Sequence, residues 1–463
     1  MKLKLVVASM SVLGLISCPA LAATNQKHTH HVAKHQVSTA RTDYKDMGAL
    51  PVEVCPITDS FTTMMDEMGQ NVGRAKPNEG CHKLLSMAGG VNFDAKWGNR
   101  SMGYQGENTK RLSLNDAYLN LYGNITDWSK AFASISYNNA SETGTTVASV
   151  IPTTFAQKAG QYSNVYPVDR LNLEQGYALI GNFDQSPLFL KLGKFFQDFG
   201  RYQIHPITRS TTQVLSESLQ TAAQVGFVTR MGFHGDIYAF DNPLKARNAV
   251  GLLSANGTTT AQGHNTTDYG VALGFDQISD QLSFGINLGY LYNMVGVNDV
   301  AQAVSQYQSG NVFTSNGSYY NRVSAGSVDA YVGSGPFSLM VDYVSALKTF
   351  NNNDLGSKGL AAVPTVAYGK GGGAKPWAGN IQAGYGFNGW GKNQNLYLGY
   401  QASGDAVAIF LPKSRWVVGY NVDMWKNTNI GVQLDHDKDY SLSQGGTGNN
   451  SNLISLRAGV KFG

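Results

Sequence analysis

Polar and apolar residues alternate along the last twelve residues of the chain. Ile454, Leu456, Ala458, Val460 and Phe462 are apolar, and the residues between them are small or cationic. A period of two predicts a β-strand with one face in an apolar medium and the other in a polar one. A soluble sandwich and an outer-membrane barrel both present such strands, so this strand alone leaves both folds open.

The same alternation recurs along the rest of the chain. Clear stretches lie at 91–97, 117–121, 269–275, 282–292, 337–343, 377–387, 396–402, 416–424 and 430–434, and weaker ones at 128–138, 171–182, 187–196, 221–230, 232–240 and 325–334. With the terminal strand at 452–463 the predicted total is sixteen. Bacterial outer-membrane barrels have an even number of strands, so the total favours a barrel.

The links between these stretches alternate between short and long. Short turns contain signals such as Gly123-Asn124 and Asn388-Gly389. Long links rich in Gly, Asn, Ser and Thr lie at about 98–111, 139–170, 197–220, 241–267, 294–324, 347–376, 404–414 and 438–451. This alternation predicts an all-β, antiparallel transmembrane β-barrel with short periplasmic turns, long extracellular loops and both chain ends on the periplasmic side.

Tryptophan positions support the barrel. The tryptophans lie at or just beyond the ends of predicted strands, at Trp97, Trp128, Trp377, Trp390, Trp416 and Trp425. Aromatic girdles at the two membrane interfaces place tryptophan there, whereas a sandwich core buries it in the middle of strands.

The N-terminus predicts export. Residues 1–22 combine a cationic start, an apolar run too short to span a membrane, and an Ala20-Leu21-Ala22 cleavage site. A lipoprotein-like box ending at Cys18 leaves open which signal peptidase acts. We therefore expect a signal peptide at 1–22, a periplasmic segment at 23–86 and an outer-membrane barrel at 87–463.

Composition narrows the class of protein. The net charge is only +4, with 35 Lys and Arg against 31 Asp and Glu, which gives no nucleic-acid footprint. Charged residues make up 14% and the chain has 53 glycines, values that suit a barrel better than a soluble periplasmic domain.

Two groups in the segment before the barrel are candidate ligating or bridging residues. Cys55 and Cys81 form a candidate disulfide in an exported protein, against the alternative of two free thiols. The histidines of the tail, at 28, 30, 31 and 35, suit zinc or copper, but no carboxylate or thiol lies close by to close the site. We predict no metal site and no cofactor.

Residues 171–228 contain four motifs: a strand ending in Ile-Gly-Asn, the Ser-Pro-x-Phe-Leu-x-x-Gly strand beginning at Ser186, Phe-Gly-x-Tyr at 199–202, and a Leu-x-Glu run beginning at Leu215. In these motifs the segment resembles the LbtU-type siderophore porin family. The rest of the chain matches in architecture only. The resemblance implies a plugless outer-membrane barrel that passes ferric siderophore. The alternatives are a general or other-solute porin and a non-transporting surface barrel such as an adhesin.

The link at 197–220 is the candidate ligand site. A lumen of sixteen strands is wide enough for a loop to fold inward and narrow it. Cationic and aromatic groups there suit an anionic or planar chelate, and the candidate residues are Arg201, Tyr202, His205, Arg209 and Glu217. The alternative is an ordinary extracellular loop.

The alternation of inward-facing and outward-facing positions along each strand (strand parity) also predicts which charged side chains lie on the lumen wall. They are Asp94, Lys96, Glu174, Lys191, Arg415, Asp423, Asp435, Arg457 and Lys461, and we expect most of them to be solvated. No nucleophile elbow, carboxylate pair or metal-ligand spacing accompanies His234 or His436, so we predict no enzyme. The expected partners are outer-membrane lipid, barrel-assembly machinery and a ferric siderophore or other small solute, with no nucleic acid; the sequence leaves oligomerisation open.

Overall fold

The computed structural model describes the barrel and parts of its loops. Described residues are 85–99, 108–126, 128–138, 170–182, 185–201, 207–229, 231–247, 252–253, 259–260, 263–277, 282–306, 318–357 and 372–462. The predicted signal peptide, the His-rich tail, Cys55, Cys81, Tyr202 and His205 lie outside these ranges.

Sixteen antiparallel strands close into one barrel. They are β1 (Leu85–Asn99), β2 (Asn108–Asn124), β3 (Ser129–Asn138), β4 (Arg170–Ile180), β5 (Leu188–Phe196), β6 (Leu219–Val228), β7 (Phe233–Asp241), β12 (Thr267–Gln277), β13 (Leu282–Leu291), β15 (Ala325–Ser334), β16 (Phe337–Ala346), β17 (Trp377–Gly389), β18 (Lys392–Gly404), β19 (Ser414–Trp425), β20 (Thr428–Lys438) and β21 (Asn450–Phe462). Consecutive barrel strands pair, and β21 closes the ring on β1. The prediction of an antiparallel barrel of sixteen strands is confirmed.

Short strands and helices lie in the long loops. The strands β8 (Lys245–Arg247), β9 (Leu252–Leu253), β10 (Thr259–Thr260), β11 (Gly263–His264) and β14 (Ser318–Tyr319) form two small sheets. The α-helices of the described residues are α1 (Thr211–Ser216) and α2 (Asn298–Gln306), and short 3-10 helices lie at Met294–Gly296, Val407–Ile409 and Leu442–Gln444. None of the helices in the described ranges is long and apolar enough to cross a membrane.

The alternation of the sequence sorts side chains between the two faces of the wall. On β21 and β1 the outward pairs are apolar, such as Val91 with Val460, and the inward pairs include Asp94 with Arg457. Outward side chains such as Phe93, Leu398 and Val418 are 43% to 53% exposed, so they form an apolar outer surface. A closed barrel that is apolar outside and polar inside is the architecture of a transmembrane β-barrel.

Tryptophan marks both rims of this apolar surface. Trp97, Trp377 and Trp416 lie at the long-loop end of their strands, and Trp128, Trp390 and Trp425 at the short-turn end. All six are exposed, by 36% to 89%. The predicted placement of tryptophan at strand ends is therefore confirmed.

The first two strands are longer than predicted. β1 begins at Leu85 rather than residue 87, and β2 begins at Asn108 rather than 112. A register shift between Asn92 and Phe93 lets the long β2 keep its apolar residues outward beyond that point.

An apolar cluster fills part of the end of the barrel from which the long loops extend, hereafter the long-loop end. It joins α2 and the preceding turn, through Met294, Val300 and Val304, to Ile409 and Leu355 from other loops. Met294 and Leu355 have no exposed surface. The long loops therefore pack on one another with a core of their own.

Candidate functional site

The described residues of the segment 197–218, which are 197–201 and 207–218, lie inside the lumen; the segment is hereafter called the crossing loop. It leaves the wall between β5 and β6, where the Gln197 amide donates to the Ser218 carbonyl over 2.8 Å and closes its base. Its described residues then contact strands β16 to β21, on other sides of the barrel. Of the two interpretations of this link, the inward-folded loop agrees with the contacts of the described residues, and its role in ligand binding stays a prediction.

The first leg of the loop is anchored near the short-turn end. Arg201 forms a bidentate pair with Asp276, with Nη1–Oδ1 at 3.1 Å and Nη2–Oδ2 at 2.8 Å. Nε2 of His234 lies 3.0 Å from the same Oδ2. Burial lowers the pKa of Arg201, but the hydrogen bond and charge of Asp276 outweigh it and the pKa is raised overall. Arg201 is therefore a charged anchor whose counter-ion is built into the wall.

The second leg crosses to β20 and β21. The Ile207 amide donates to Oε1 of Gln433, and Thr208 Oγ1 donates to Asp435 Oδ2 over 2.9 Å. Gln433 Nε2 in turn donates to Thr208 Oγ1 over 2.6 Å. Because Gln433 and Asp435 are buried, these bonds fix the backbone of the loop against the wall.

Two wall arginines hold the loop by its backbone carbonyls. Arg457 Nη2 donates to the Ile207 carbonyl, and Arg415 Nη1 to the Arg209 carbonyl, each over 3.2 Å. Each arginine also makes a bidentate ion pair, Arg457 with Asp94 and Arg415 with Asp437, at 2.6 to 2.9 Å. The carboxylates orient the guanidinium groups, and the guanidinium groups clamp the loop.

Helix α1 continues the crossing. Ser210 caps it by accepting a hydrogen bond from the Gln213 amide at 3.1 Å, as serine does at helix N-termini. The Thr211 amide donates to Gln401 Oε1 on β18 at 3.0 Å. The helix thus lies against β16, β17 and β18.

The crossing loop is also tied to α2. Arg209 forms a bidentate pair with Asp299, at 3.3 and 2.7 Å, and its Nη2 lies 3.1 Å from Glu217 Oε1. Glu217 accepts a second bond from Gln213 at 2.6 Å. Burial raises the pKa of Glu217, opposed by the charge of Arg209. The structure therefore brings Arg209 and Glu217 together, whereas Arg201 belongs to a separate pair with Asp276.

Three of the nine predicted wall charges are buried rather than solvated. Asp94, Lys191 and Asp435 are at most 1% exposed, so they are not solvated wall residues. Lys191 Nζ lies 4.3 Å from the ring centroid of Tyr177 and 4.2 Å from that of Phe195. Strand parity predicted correctly that these groups face inward. It carried no information about what packs on them inside the lumen.

Sequence reasoning missed a row of aromatic rings on the lumen wall. Tyr122, Phe132, Tyr177 and Phe195 come from β2 to β5, and their successive ring centroids lie 5.0, 5.1 and 5.8 Å apart. The sequence contains a signal for this row, because these aromatic residues lie at the inward-facing positions of strands whose outward-facing positions are also apolar. Lumen residues are polar in most barrels, so inward aromatic residues indicate packing inside this lumen.

The crossing loop and the wall strands around it present hydrogen-bonding groups and charged side chains. Within the described ranges, no group of three or more His, Cys, Asp or Glu side chains is arranged to hold a metal ion. His234 lies beside Asp276, and His436 lies on the outer face with Nδ1 2.6 Å from Asn452 Oδ1.

Comparison with known proteins identifies the fold. The structure superposes on OprB of Pseudomonas putida with a TM-score of 0.50, covering 90% of this chain and all of that chain at 14% identity. The fold is that of a porin-type β-barrel. An anion-selective porin from Comamonas acidovorans superposes with a TM-score of 0.47 at 11% identity, covering 82% of this chain and 99% of that one.

The relatives by sequence are less informative about activity. The chain is 26% identical to a UPF0422 protein of Coxiella burnetii over 284 residues, which cover 61% of this chain and 54% of that protein. It is 25% identical to UPF0422 protein lpg2959 of Legionella pneumophila subsp. pneumophila over 310 residues, 63% of this chain and 54% of that protein. The chain thus spans about half the length of the curated relatives it matches. No family model matches the chain.

Proposed function

We propose that this porin-type barrel is an outer-membrane channel through which small solutes diffuse, narrowed by the crossing loop. The observation that carries the proposal is the clamp on that loop, in which Arg415 and Arg457 hold backbone carbonyls of the loop against the polar wall. A loop fixed across a polar lumen sets the width and the charge of a passage without covalent chemistry. The long loops then face the outside of the cell and both chain ends the periplasm.

The finer proposal is that the cargo is a ferric siderophore. Its support is the resemblance of residues 171–228 to LbtU-type siderophore porins, and these residues include the crossing loop. The side chains of Arg201 and Arg209 stay partly exposed in their ion pairs, by 19% and 28%. A partly exposed cation next to the passage attracts an anionic chelate even while it is paired.

A second candidate function is a closed surface barrel. The apolar cluster at the long-loop end favours it, because Met294, Val300 and Leu355 pack without exposed surface inside the mouth. A barrel with an obstructed mouth would act through its outer loops.

Uptake in iron-starved cells tests the siderophore proposal. Cells lacking the gene, cells with it restored, and cells carrying Arg209→Met are given labelled ferric siderophore and an unrelated small sugar. We expect a deficit that the restored gene corrects for the siderophore only, and a selective loss with Arg209→Met. Arg322→Met, another arginine at the long-loop end, is the matched control and should transport normally.

The outcomes separate the candidates. If Arg209→Met raises passage of both solutes, Arg209 only closes the channel and does not contact the ligand. If the restored gene improves uptake of both solutes equally, the barrel is a general porin. If neither solute depends on the gene, the closed surface barrel is favoured.

A further inference from the structure

Two aspartates face each other across neighbouring strands of the lumen wall. Asp329 on β15 is the register partner of Asp342 on β16. Both side chains lie on the inward face and are buried, with 2% and 3% of their surface exposed. Opposed side chains on antiparallel strands have Cβ atoms about 4.5–5.5 Å apart, and like charges at such positions repel each other. The pair therefore needs either a shared proton or a partner of opposite charge.

An asparagine flanks the pair on each side. Asn287 on β13 is opposite Asp329, and Asn380 on β17 is opposite Asp342. Nδ2 of Asn287 donates to Asp329 Oδ2 at 2.6 Å, and Nδ2 of Asn380 donates to Asp342 Oδ2 at 2.7 Å. The four side chains thus form one row across four consecutive strands of the barrel, hereafter the acidic row.

The acidic row retains buried oxygen atoms without hydrogen-bond partners. Within the described residues they include Oδ1 of Asn287, of Asp342 and of Asn380. Gln382, the next inward residue of β17, is 2% exposed, and neither atom of its amide has a partner. It lies diagonal to Asp342, a separation that a long side chain can span. Burying such polar atoms is costly unless a further group binds them.

The charge of the acidic row is not balanced by the described side chains. The charge of Arg201 acts on Asp329, but its guanidinium forms the bidentate pair with Asp276. Within the described residues, neither Asp329 nor Asp342 forms an ion pair with a lysine, arginine or histidine. Because the charges of Arg201 and Asp276 cancel, the two ionised carboxylates of the row leave an excess of negative charge.

The crossing loop restricts what can reach the acidic row. Arg201 lies against Asp329, Thr212 lies against Asp342, and α1 packs on β16 and β17. Carboxylates this deeply buried are closed to an organic solute but accessible to a small inorganic ion. The donors are all oxygen atoms, as Ca²⁺ prefers, and two Ca–O bonds of about 2.4 Å together span the spacing of opposed side chains. Mg²⁺, which demands octahedral geometry and retains its waters, suits this row less well.

We propose that Asp329, Asp342, Asn287 and Asn380 form a calcium site between the lumen wall and the crossing loop. The two carboxylates supply the charge, and the asparagine amides supply further oxygen ligands. The bound ion removes the repulsion between the two strands and stabilises the wall beneath the loop. The site requires only the folded barrel, so the inference does not depend on the proposed channel.

Calcium titration of the refolded full chain in a neutral detergent tests the proposal. Protein refolded from inclusion bodies carries no membrane glycolipid that would bind the ion itself. After EDTA treatment and dialysis, isothermal titration calorimetry with CaCl₂ should show a single site per chain. Asp342→Asn keeps the shape of the side chain and removes its charge. It should weaken binding by more than about 100-fold, because loss of an outer-shell group alone costs about 10–100-fold.

Urea unfolding supplies a second readout. Ca²⁺ should stabilise the wild type but not Asp342→Asn. In EDTA, Asp342→Asn should be more stable than the wild type, because it removes the repulsion with Asp329. Asp268→Asn is the matched control: Asp268 has no exposed surface and accepts a bond from the Asn242 side-chain amide, but its register partner is Phe240. This control should bind Ca²⁺ as the wild type does.

Each outcome decides the matter. If Ca²⁺ neither binds to nor stabilises the wild type, the two carboxyl groups share a proton and the proposal is wrong. Binding that Asp342→Asn retains, or that Asp268→Asn weakens equally, also overturns it, because the ion then lies elsewhere. If Asp342→Asn does not fold, as judged by heat-modified mobility on gels, Asp329→Asn repeats the test. Binding in detergent does not require conduction, so its failure is distinct from a failure to conduct in bilayers.

Discussion

Removing the guanidinium of Arg457 should destabilise the barrel and release the crossing loop. Arg457 makes two bonds of 2.7 Å to Asp94, which has no exposed surface, and one of 3.2 Å to the Ile207 carbonyl. Removing one partner of a buried ion pair costs about 3–5 kcal/mol. Lys96 Nζ lies 3.6 Å from Asp94 and offsets part of this cost, so we expect about 3 kcal/mol for Arg457→Met.

The double variant Asp94→Asn/Arg457→Met separates the two contributions. It leaves no buried charge at this point and loses chiefly the bond to the Ile207 carbonyl, which is worth about 1.5–3 kcal/mol for a charged donor. The double variant should therefore be more stable than Arg457→Met alone. Lys461→Met, four residues further along the same face of β21, controls for the loss of one lumen charge.

Urea unfolding in lipid vesicles, followed by tryptophan fluorescence, measures these differences. The expected order of stability is wild type, then the double variant, then Arg457→Met. A double variant less stable than Arg457→Met would refute the reasoning, because Asp94 would then contribute stability that does not depend on Arg457.

Three further predictions address the loop, the wall and the outer face. Burial raises the pKa of Glu217, so the stability that its protonated form contributes is present below about pH 4 and is lost as the pH rises through the raised pKa. Glu217→Gln should therefore make the free energy of urea unfolding less dependent on pH in that range. An unchanged pH dependence would contradict the raised pKa of Glu217. Gly193 has a φ of +136°, and a Cβ there would collide with the Gly176 carbonyl. Gly193→Ala should therefore lower the yield of folded barrel on heat-modifiability gels. The control Ala223→Gly, on the paired strand, should leave that yield unchanged. Val418→Lys on the lipid face should cost about 2–4 kcal/mol of folding free energy in vesicles, while Asn421→Lys on the opposite face of the same strand should be tolerated; equal costs would contradict the assigned polarity of the wall.

The wall could be predicted from the sequence because each strand carries its own signal. Alternation in a stretch such as 416–424 depends only on the medium that each face of the strand contacts. The number of strands, and the face on which each side chain lies, can therefore be predicted from the local sequence. Turn residues and tryptophan positions are local signals of the same kind. The prediction was less accurate at strand ends, as at Leu85 and Asn108, where the pattern weakens before the pairing does.

The interior of the barrel could not be predicted in the same way. Arg201 pairs with Asp276, 75 residues away, and Arg209 with Asp299, 90 residues away. Such pairs depend on the path of the crossing loop through the lumen, and no local pattern encodes that path. For the same reason the expectation that most wall charges are solvated does not hold for Asp94 and Lys191, which are buried.

Single-channel conductance in planar bilayers tests the central claim most directly. The account predicts discrete current steps for the wild-type barrel, and larger steps for Arg415→Met/Arg457→Met, because both clamps on the loop carbonyls are then lost. Lys392→Met/Lys461→Met, which also removes two positive charges, should conduct like the wild type. A folded, inserted barrel that passes no current in either the wild type or the clamp variant would contradict a channel and favour the closed surface barrel.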